Sequence, residues 1–317
     1  MKLPPFRMHR PTSVEEAVAL RDELGDSAAF YCGGTELLLV MKAGMTDLSD
    51  LIDVKGIDAL RSITFVDGVL RIGAATTHRE IERHPLVREH APALASVAKR
   101  IANVRVRSIG TIGGNLAFAD PASDLATLLR ALGAVVQIRG ARQVRREIRI
   151  AELCVGAYRT ALGEDELIEA VLVAPAVAGT ATVHQRIKFK ERPAIIATVS
   201  LRAKGGAIVD ARVVVGAVSA IPAEVVAAEQ LLEGASPATL VDAAESAGDA
   251  AANNVPLLDE AEEDQVYKRQ LIRVLVARCA TEAMNLAFAE AGFGAGDEVS
   301  DSSSFPPGRT ANKGVHE

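Results

Sequence analysis

The chain is short of cysteine, of positive charge and of long apolar runs, and each shortage removes a class of protein. Three cysteines in 317 residues (Cys32, Cys154 and Cys279) are too few and too unevenly spaced for a disulfide framework. They also fall short of the four thiolates that usually hold an iron–sulfur cluster. A net charge of −6 argues against general nucleic-acid binding, which needs clustered Lys and Arg against phosphates. No stretch approaches the roughly 18 consecutive apolar residues of a membrane span. The opening MKLPPFRMHRPTSVEEAV lacks the apolar core of a secretory signal. A soluble, cytoplasmic protein is therefore expected. His78, His84 and His90 recur every six residues. On one helix that step turns successive rings by roughly 120°, so they share no face and no metal site is expected.

What is present is ample apolar material, 49% of the residues, in a length that suggests two domains. RPTSVEEAVALRDELG reads as a first helix, with Ser13 as cap, Glu16 completing a capping box and Gly25 as stop. AAFYCGG reads as a strand running into a turn, TELLLVMKAG as a helix, and LRIGAATTHREI as strand, turn and helix. PLVREHAPALASVAKRIAN reads as one helix with Pro85 near its start. From Gly110 to Asp124 glycine, threonine and proline mark a loop. VVQIRGARQVRREIRI alternates as a half-exposed hairpin does. Its Arg142, Arg145, Arg146 and Arg149 either guard a solvated edge against strand addition or offer a face to a partner. A boundary is expected near 171–180. Beyond it come three strands with a KGG hairpin turn, then an Ala-rich helical segment. A long helix follows, with Leu271, Val274, Leu275 and Arg278 in one stripe, and a polar tail reads as disordered.

Two diglycine turns, each beside a threonine, carry the functional signal: YCGGTELLLVMKAG at 31–44 and GTIGGN at 110–115. Glycine lets backbone N–H groups approach a ligand closely and supplies the positive φ of a concave nest of donors, which suits phosphates. A hydrogen bond to a charged group contributes about 1.5–3 kcal/mol, so two such turns facing one diphosphate would hold it firmly. Thr35 and Thr111 add hydroxyls. The Walker pattern is absent, and the G-x-G-x-x-G fingerprint is missing from every strand–helix junction. GFGAG at 292–296 lies in the tail. Spacing alone gives a nucleotide or dinucleotide pocket.

Together these residues resemble the FAD-binding medium subunit of molybdenum hydroxylases, the family of the carbon-monoxide dehydrogenase medium chain and the xanthine dehydrogenase flavin domain. CGGTELLLVMK resembles the first pyrophosphate loop and GTIGGNLAFADPASD the second. IGAATTHREIE lies between them, and YKRQLIRVLVARC resembles a helix of the family's C-terminal domain. The resemblance spans roughly 1–288. It implies an α+β chain: an FAD-binding PCMH-type domain over 1–176, made of two α/β subdomains with a break near 58. A C-terminal domain over 177–288, a three-stranded antiparallel sheet with helices, would follow, then the tail 289–317.

The same resemblance implies that backbone groups from Tyr31 through Cys32, Gly33, Gly34 and Thr35 to Glu36 wrap the FAD diphosphate. Thr111, Ile112, Gly113, Gly114 and Asn115 would close it from the other side. Asp124 would sit on a polar group of the FAD, although it could equally cap the following helix. Ile101 would pack near the flavin. Ile168, or a neighbour at 167 or 169, would lie on the adenine, and Lys188, or Lys190, at the flavin. There are departures: Arg105-Val106-Arg107-Ser108 stands where the family has Gln-Ile-Arg-Asn, and Cys32 where many relatives have Ala, which raises the question of a covalent flavin link. The four-cysteine cluster loop of the 4-hydroxybenzoyl-CoA reductases is missing.

The implied function is electron transfer. A molybdenum cofactor on a large partner chain would oxidise the substrate. Electrons would pass through [2Fe-2S] clusters on a small chain to FAD here, and on to NAD, a quinone or dioxygen, in a dimer of heterotrimers. No catalytic acid or base is expected in this chain. The alternatives left open are a self-sufficient flavin oxidase and a non-catalytic nucleotide-binding assembly protein.

Overall fold

A computed structural model of the chain describes residues 2–142, 144–189, 192–258 and 262–293. The chain begins with strand β1 (Arg7–His9), helix α1 (Val14–Leu24), β2 (Ala28–Tyr31), α2 (Leu37–Lys42) and β3 (Asp50–Asp53), and its three strands form a parallel sheet ordered β1-β3-β2. Ser13 caps α1 by accepting the Glu16 amide. The Glu16 carboxylate, however, accepts from the amide and hydroxyl of Thr12, one residue earlier than a capping box would place it. Gly25 ends the helix at φ 59°, a turn that suits a residue without a Cβ. Asp50, fully buried, ties β1 in place through Arg7, His9 and Ser49, and these bonds hold its carboxyl well below the usual range.

The next stretch runs β4 (Ile63–Val66), β5 (Val69–Gly73), α3 (His78–Arg83), α4 (Pro85–His90), α5 (Pro92–Arg100), α6 (Val104–Arg107), α7 (Ile112–Phe118) and α8 (Asp124–Ala131). It continues with β6 (Val135–Arg139), β7 (Arg145–Arg149), α9 (Ile150–Leu153), β8 (Cys154–Gly156), β9 (Arg159–Thr160) and β10 (Leu167–Val173). A five-stranded sheet forms in the order β4-β5-β10-β6-β7, with its core against the helices through residues such as Ile72, Val136, Leu94, Leu116 and Leu128. Two expectations need correction here. The single helix foreseen after Pro85 is two, because Ala91, held before Pro92, leaves the helical region at φ −144° and ψ 60°. The stretch foreseen as a loop after Gly110 holds α7, with both glycines inside it. The hairpin β6–β7 is as expected: β7 is an edge, Arg145 and Arg149 are exposed, and Arg146 pairs with Glu166 at 2.6 Å.

After this sheet come β11 (Thr180–Phe189), β12 (Arg192–Lys204), β13 (Ala207–Gly216), the short β14 (Ala223–Glu224), α10 (Val226–Leu232), α11 (Leu240–Asn254) and α12 (Glu262–Glu290). The strands form an antiparallel sheet in sequence order, so the three long strands foreseen gain a two-residue edge. One face carries Ile195, Ala197, Val199 and Leu201 against the helices. Ile196 and Thr198, facing the other way, are also fully buried, because α8 lies on that side. Gly216 has no room for a side chain there, since a Cβ would lie 2.2 Å from Thr127 Oγ1. A central strand covered on both faces explains why the middle of β12, Pro193 to Ala197, reads as an unbroken apolar run. On α12 the buried stripe is Ile272, Leu275, Val276 and Cys279, rotated from the one foreseen, and Arg278 is exposed. Most of the expected tail, 294–317, lies outside the described residues. Among the described residues no helix is long and apolar enough to cross a membrane.

Candidate functional site: a cavity between two glycine loops

Within the stretch that builds the five-stranded sheet, the loop after β5 pairs with the loop before α7. Thr77 bridges Thr111, His78 donates its backbone N–H to Gly110 O at 3.0 Å, and Ile112 donates to Thr76 O at 3.1 Å. Thr77 caps α3 through a complete capping box with Glu80. Gly33 from the first loop presses on the second: a Cβ there would lie 2.3 Å from Ile109 O and 2.8 Å from Gly110 Cα. The first glycine loop therefore meets the start of the second, at Ile109 and Gly110, through bare main chain. Between them opens a cavity of about 820 Å³, toward the upper end of the roughly 300–1,000 Å³ of ligand pockets.

Most of the expected site residues line this cavity: Cys32, Gly33, Gly34, Thr35, Glu36, Ile101, Thr111, Gly113, Gly114, Asn115, Asp124, Ile168 and Lys188. Two do not. Ile112 is fully buried in the core of the five-stranded sheet. Tyr31 ends β2, with its ring against Gly34 and under the Lys55 ammonium at 4.3 Å. Of the neighbours of Ile168, Leu167 also lines the cavity, whereas Glu169 is paired with Arg139 at 3.0 Å and Arg71 at 3.3 Å. Lys188 is exposed at the wall, and Lys190 lies outside the described residues.

An account of the amides separates the loops. Among the described residues, those of Gly33, Gly34, Thr35 and Glu36 donate to no acceptor in the chain, and they precede α2 as a run of donors on the cavity wall. In the second loop Gly113 donates to Ala74 O at 2.9 Å, Gly114 to Thr111 Oγ1 at 3.2 Å and Asn115 to Thr111 O at 2.9 Å. Of the amides around the second diglycine only that of Thr111 donates to no acceptor among the described residues, so the longer run of unengaged donors is residues 33–36. The second loop offers the Thr111 hydroxyl and the Asn115 amide group, whose oxygen is held by Ser123 at 2.6 Å.

Asp124 neither caps its helix nor stands free. Ser123 is the cap, accepting the Ala126 amide at 3.1 Å. The Asp124 carboxylate accepts from Arg186 on one oxygen and meets His184 Nε2 at 3.2 Å on the other, while His184 Nδ1 reaches Thr198 Oγ1 at 2.7 Å. Arg186 also donates to Arg100 O, and Arg100 to His184 O at 3.0 Å. A cavity-wall carboxylate is thereby clamped to β11 of the C-terminal sheet. Burial pushes the His184 ring below its ordinary pKa, with Asp124 opposing. At the mouth Arg192 bonds Asp120, and burial together with Asp120 raises the Glu36 carboxyl. Burial also raises the Cys32 thiol, which favours its protonated form.

Sequence reasoning missed Arg186, Arg192 and His78 on the wall. The alternation of Arg186 and Lys188 on one strand face was a usable signal for the first. No local signal marks the other two.

The geometry has a family. The FAD binding domain in molybdopterin dehydrogenase matches residues 4–176, and the CO dehydrogenase flavoprotein C-terminal domain matches residues 190–283. The chain belongs to this family: it is an FAD-binding medium subunit of the molybdenum hydroxylases and hence an oxidoreductase subunit. Among individual proteins, it is 30% identical over 283 residues to the nicotine 6-hydroxylase medium subunit of Paenarthrobacter nicotinovorans, covering 89% of this chain and 99% of that one. It is 36% identical over 187 residues to the carbon monoxide dehydrogenase medium chain of Hydrogenophaga pseudoflava, covering 59% of this chain and 65% of that one. The solved carbon monoxide dehydrogenase of Hydrogenophaga pseudoflava superposes with a TM-score of 0.83 at 32% identity, over 92% of this chain and 99% of that one. The Cu,Mo-CO dehydrogenase in its cyanide-inactivated form gives 0.84 at 27% identity, over 90% of this chain and all of that one. FAD fits what is here: a run of unengaged amides for a diphosphate, a long cavity, and apolar walls at Ile101, Leu167 and Ile168.

Proposed function

We propose that this chain is the electron-transfer subunit of a heterotrimeric molybdenum hydroxylase. It accepts electrons from iron–sulfur clusters on a small partner chain and passes them to an external acceptor, while substrate is oxidised at a molybdenum cofactor on a large partner chain. The assembly is a dimer of heterotrimers, and residues 1–176 and 177–288 form its flavin-binding and C-terminal parts. The observation that carries the reading is the row of unengaged amides at 33–36 facing a cavity that the second loop closes. Similarity to the medium subunit of a hydroxylase and the medium chain of a dehydrogenase supports the assembly.

Bound FAD supplies the redox chemistry. The chain's own residues bind and orient it. The amides of Gly33 to Glu36 hold the diphosphate, with Thr111 and Asn115 opposite. Ile101 packs at the flavin end, where Lys188 adds positive charge, and Leu167 and Ile168 pack at the adenine. Asp124 fixes the wall through Arg186 and His184. Co-purification from the native source tests the reading. A flavin absorbance is expected, with a large molybdenum chain and a small iron–sulfur chain eluting alongside. A flavin-free complex, or substrate turnover by this chain alone, overturns it.

A further inference from the structure

We propose that His78 is a cofactor-facing residue, its imidazole meeting bound FAD through Nε2 from the wall beside the second glycine loop. The proposal rests on the FAD reading above. His78 is the first residue of α3, fixed by the Thr77 cap behind it and by its own backbone bond to Gly110. Its side chain is 97% hidden from solvent, since relative exposure is 3%, yet it lines the cavity. Gly110 makes room for the ring: a Cβ there would lie 3.2 Å from His78 Cδ2 and 3.3 Å from Nε2.

Among the described residues neither ring nitrogen makes a hydrogen bond, and of the two only Nδ1 is sealed from solvent. Nε2 is therefore an unpartnered polar atom, less sealed than Nδ1, on a nearly buried side chain that lines the cavity. Buried polar groups in folded proteins are almost always partnered, so an exception in a ligand cavity points to a partner that arrives with the ligand. The Arg107 guanidinium lies close enough for its charge to act on the ring. It pairs with Glu82 at 3.4 Å and donates to Ile101 O at 3.1 Å, which holds the wall segment through Ala102, a residue at φ 37°. Burial and the Arg107 charge push the imidazole down to about 4, so at neutral pH the ring is uncharged, with one donor and one acceptor.

The test uses the full chain. FAD affinity is measured by reconstituting the stripped protein, and melting temperature is measured with and without FAD, for wild type, His78→Phe and His78→Gln. His78→Phe keeps an aromatic ring, slightly larger, and removes both nitrogens. The expected result is FAD affinity lower by about three- to tenfold, the worth of one hydrogen bond. The stripped protein should melt no lower than wild type, because an unpartnered buried nitrogen has gone. His78→Gln, whose amide reaches the Nε2 position, should return affinity to within about twofold of wild type. Should His78→Phe fail to fold, His78→Leu takes its place against His78→Gln. Wild-type affinity in the apolar variant, equal weakening in both variants, or equal melting loss with and without FAD would overturn the proposal. If wild type itself binds no FAD, the underlying reading falls too, which separates the two failures.

Discussion

In the first glycine loop the amides of residues 33–36 bond to nothing in the described chain, whereas in the second those of Gly113, Gly114 and Asn115 are all engaged by Ala74 and Thr111. The letters are nearly the same, a glycine pair beside a threonine, and the physical jobs differ. Gly34 sits at φ +66°, in the left-handed region, and so turns the first loop into a concave run of donors. Neither Gly113 nor Gly114 has positive φ, and the pair lies inside a seven-residue helix. There the first glycine serves contact: its Cβ would lie 2.5 Å from Ala74 Cβ and 2.8 Å from Ala74 O. A diglycine motif thus reports close approach, and the hydrogen-bond account decides whether ligand or chain does the approaching.

The comparison breaks most readily at Gly33. In Gly33→Ala the new methyl meets the main-chain oxygen of Ile109 at 2.3 Å, and a backbone atom cannot swing aside as a side-chain tip can. The loops must part, and the free amides move with them. FAD affinity is expected to fall about a hundredfold or more, equivalent to roughly 2.7 kcal/mol, in a reconstitution titration. Affinity within threefold of wild type would mean that the first loop tolerates displacement and is not the anchor.

Gly113→Ala should act on the fold before it acts on the ligand. Overpacking of this kind costs about 1–3 kcal/mol, and here it falls between α7 and the end of β5. Denaturant unfolding of the FAD-free protein should show the loss. If the stripped protein is unchanged and only FAD binding suffers, the assignment of Gly113 to packing is wrong.

These distinctions mark how far the sequence could be read. The family motifs carried the two loops, the α+β class and thirteen of the fifteen proposed residues to one cavity wall, because backbone cradles leave contiguous signatures in the chain. Ile112 and Tyr31 do not line the cavity: a residue beside a glycine loop can face the core, as Ile112 does on the inner side of α7. Asp124 was legible as a wall residue but not as a clamp, because its partners His184 and Arg186 lie 60 and 62 positions away and no periodicity links them. His78 was invisible for the same reason. Its significance comes from Gly110 and Arg107, and from a nitrogen with no partner.

The smallest effect on stability, and the sharpest division within one motif, is expected at Gly114. Unlike its neighbour, it has little protein around it: the nearest atom to an added Cβ is Thr111 Oγ1 at 3.0 Å. That hydroxyl belongs to the helix cap and must give slightly, at a cost below the roughly 1 kcal/mol of losing a cap. Alanine meanwhile gains about 0.5–1 kcal/mol over glycine inside a helix, so the two nearly cancel. The chain itself therefore gives no strong reason for glycine at 114, and the residue lines the cavity. The remaining reason is ligand approach. Gly114→Ala should unfold within about 1 kcal/mol of wild type yet bind FAD about tenfold more weakly, the reverse of the Gly113→Ala pattern. Equal unfolding with unchanged FAD affinity would leave the second loop a purely structural brace, and the whole of the diphosphate site would then belong to residues 33–36.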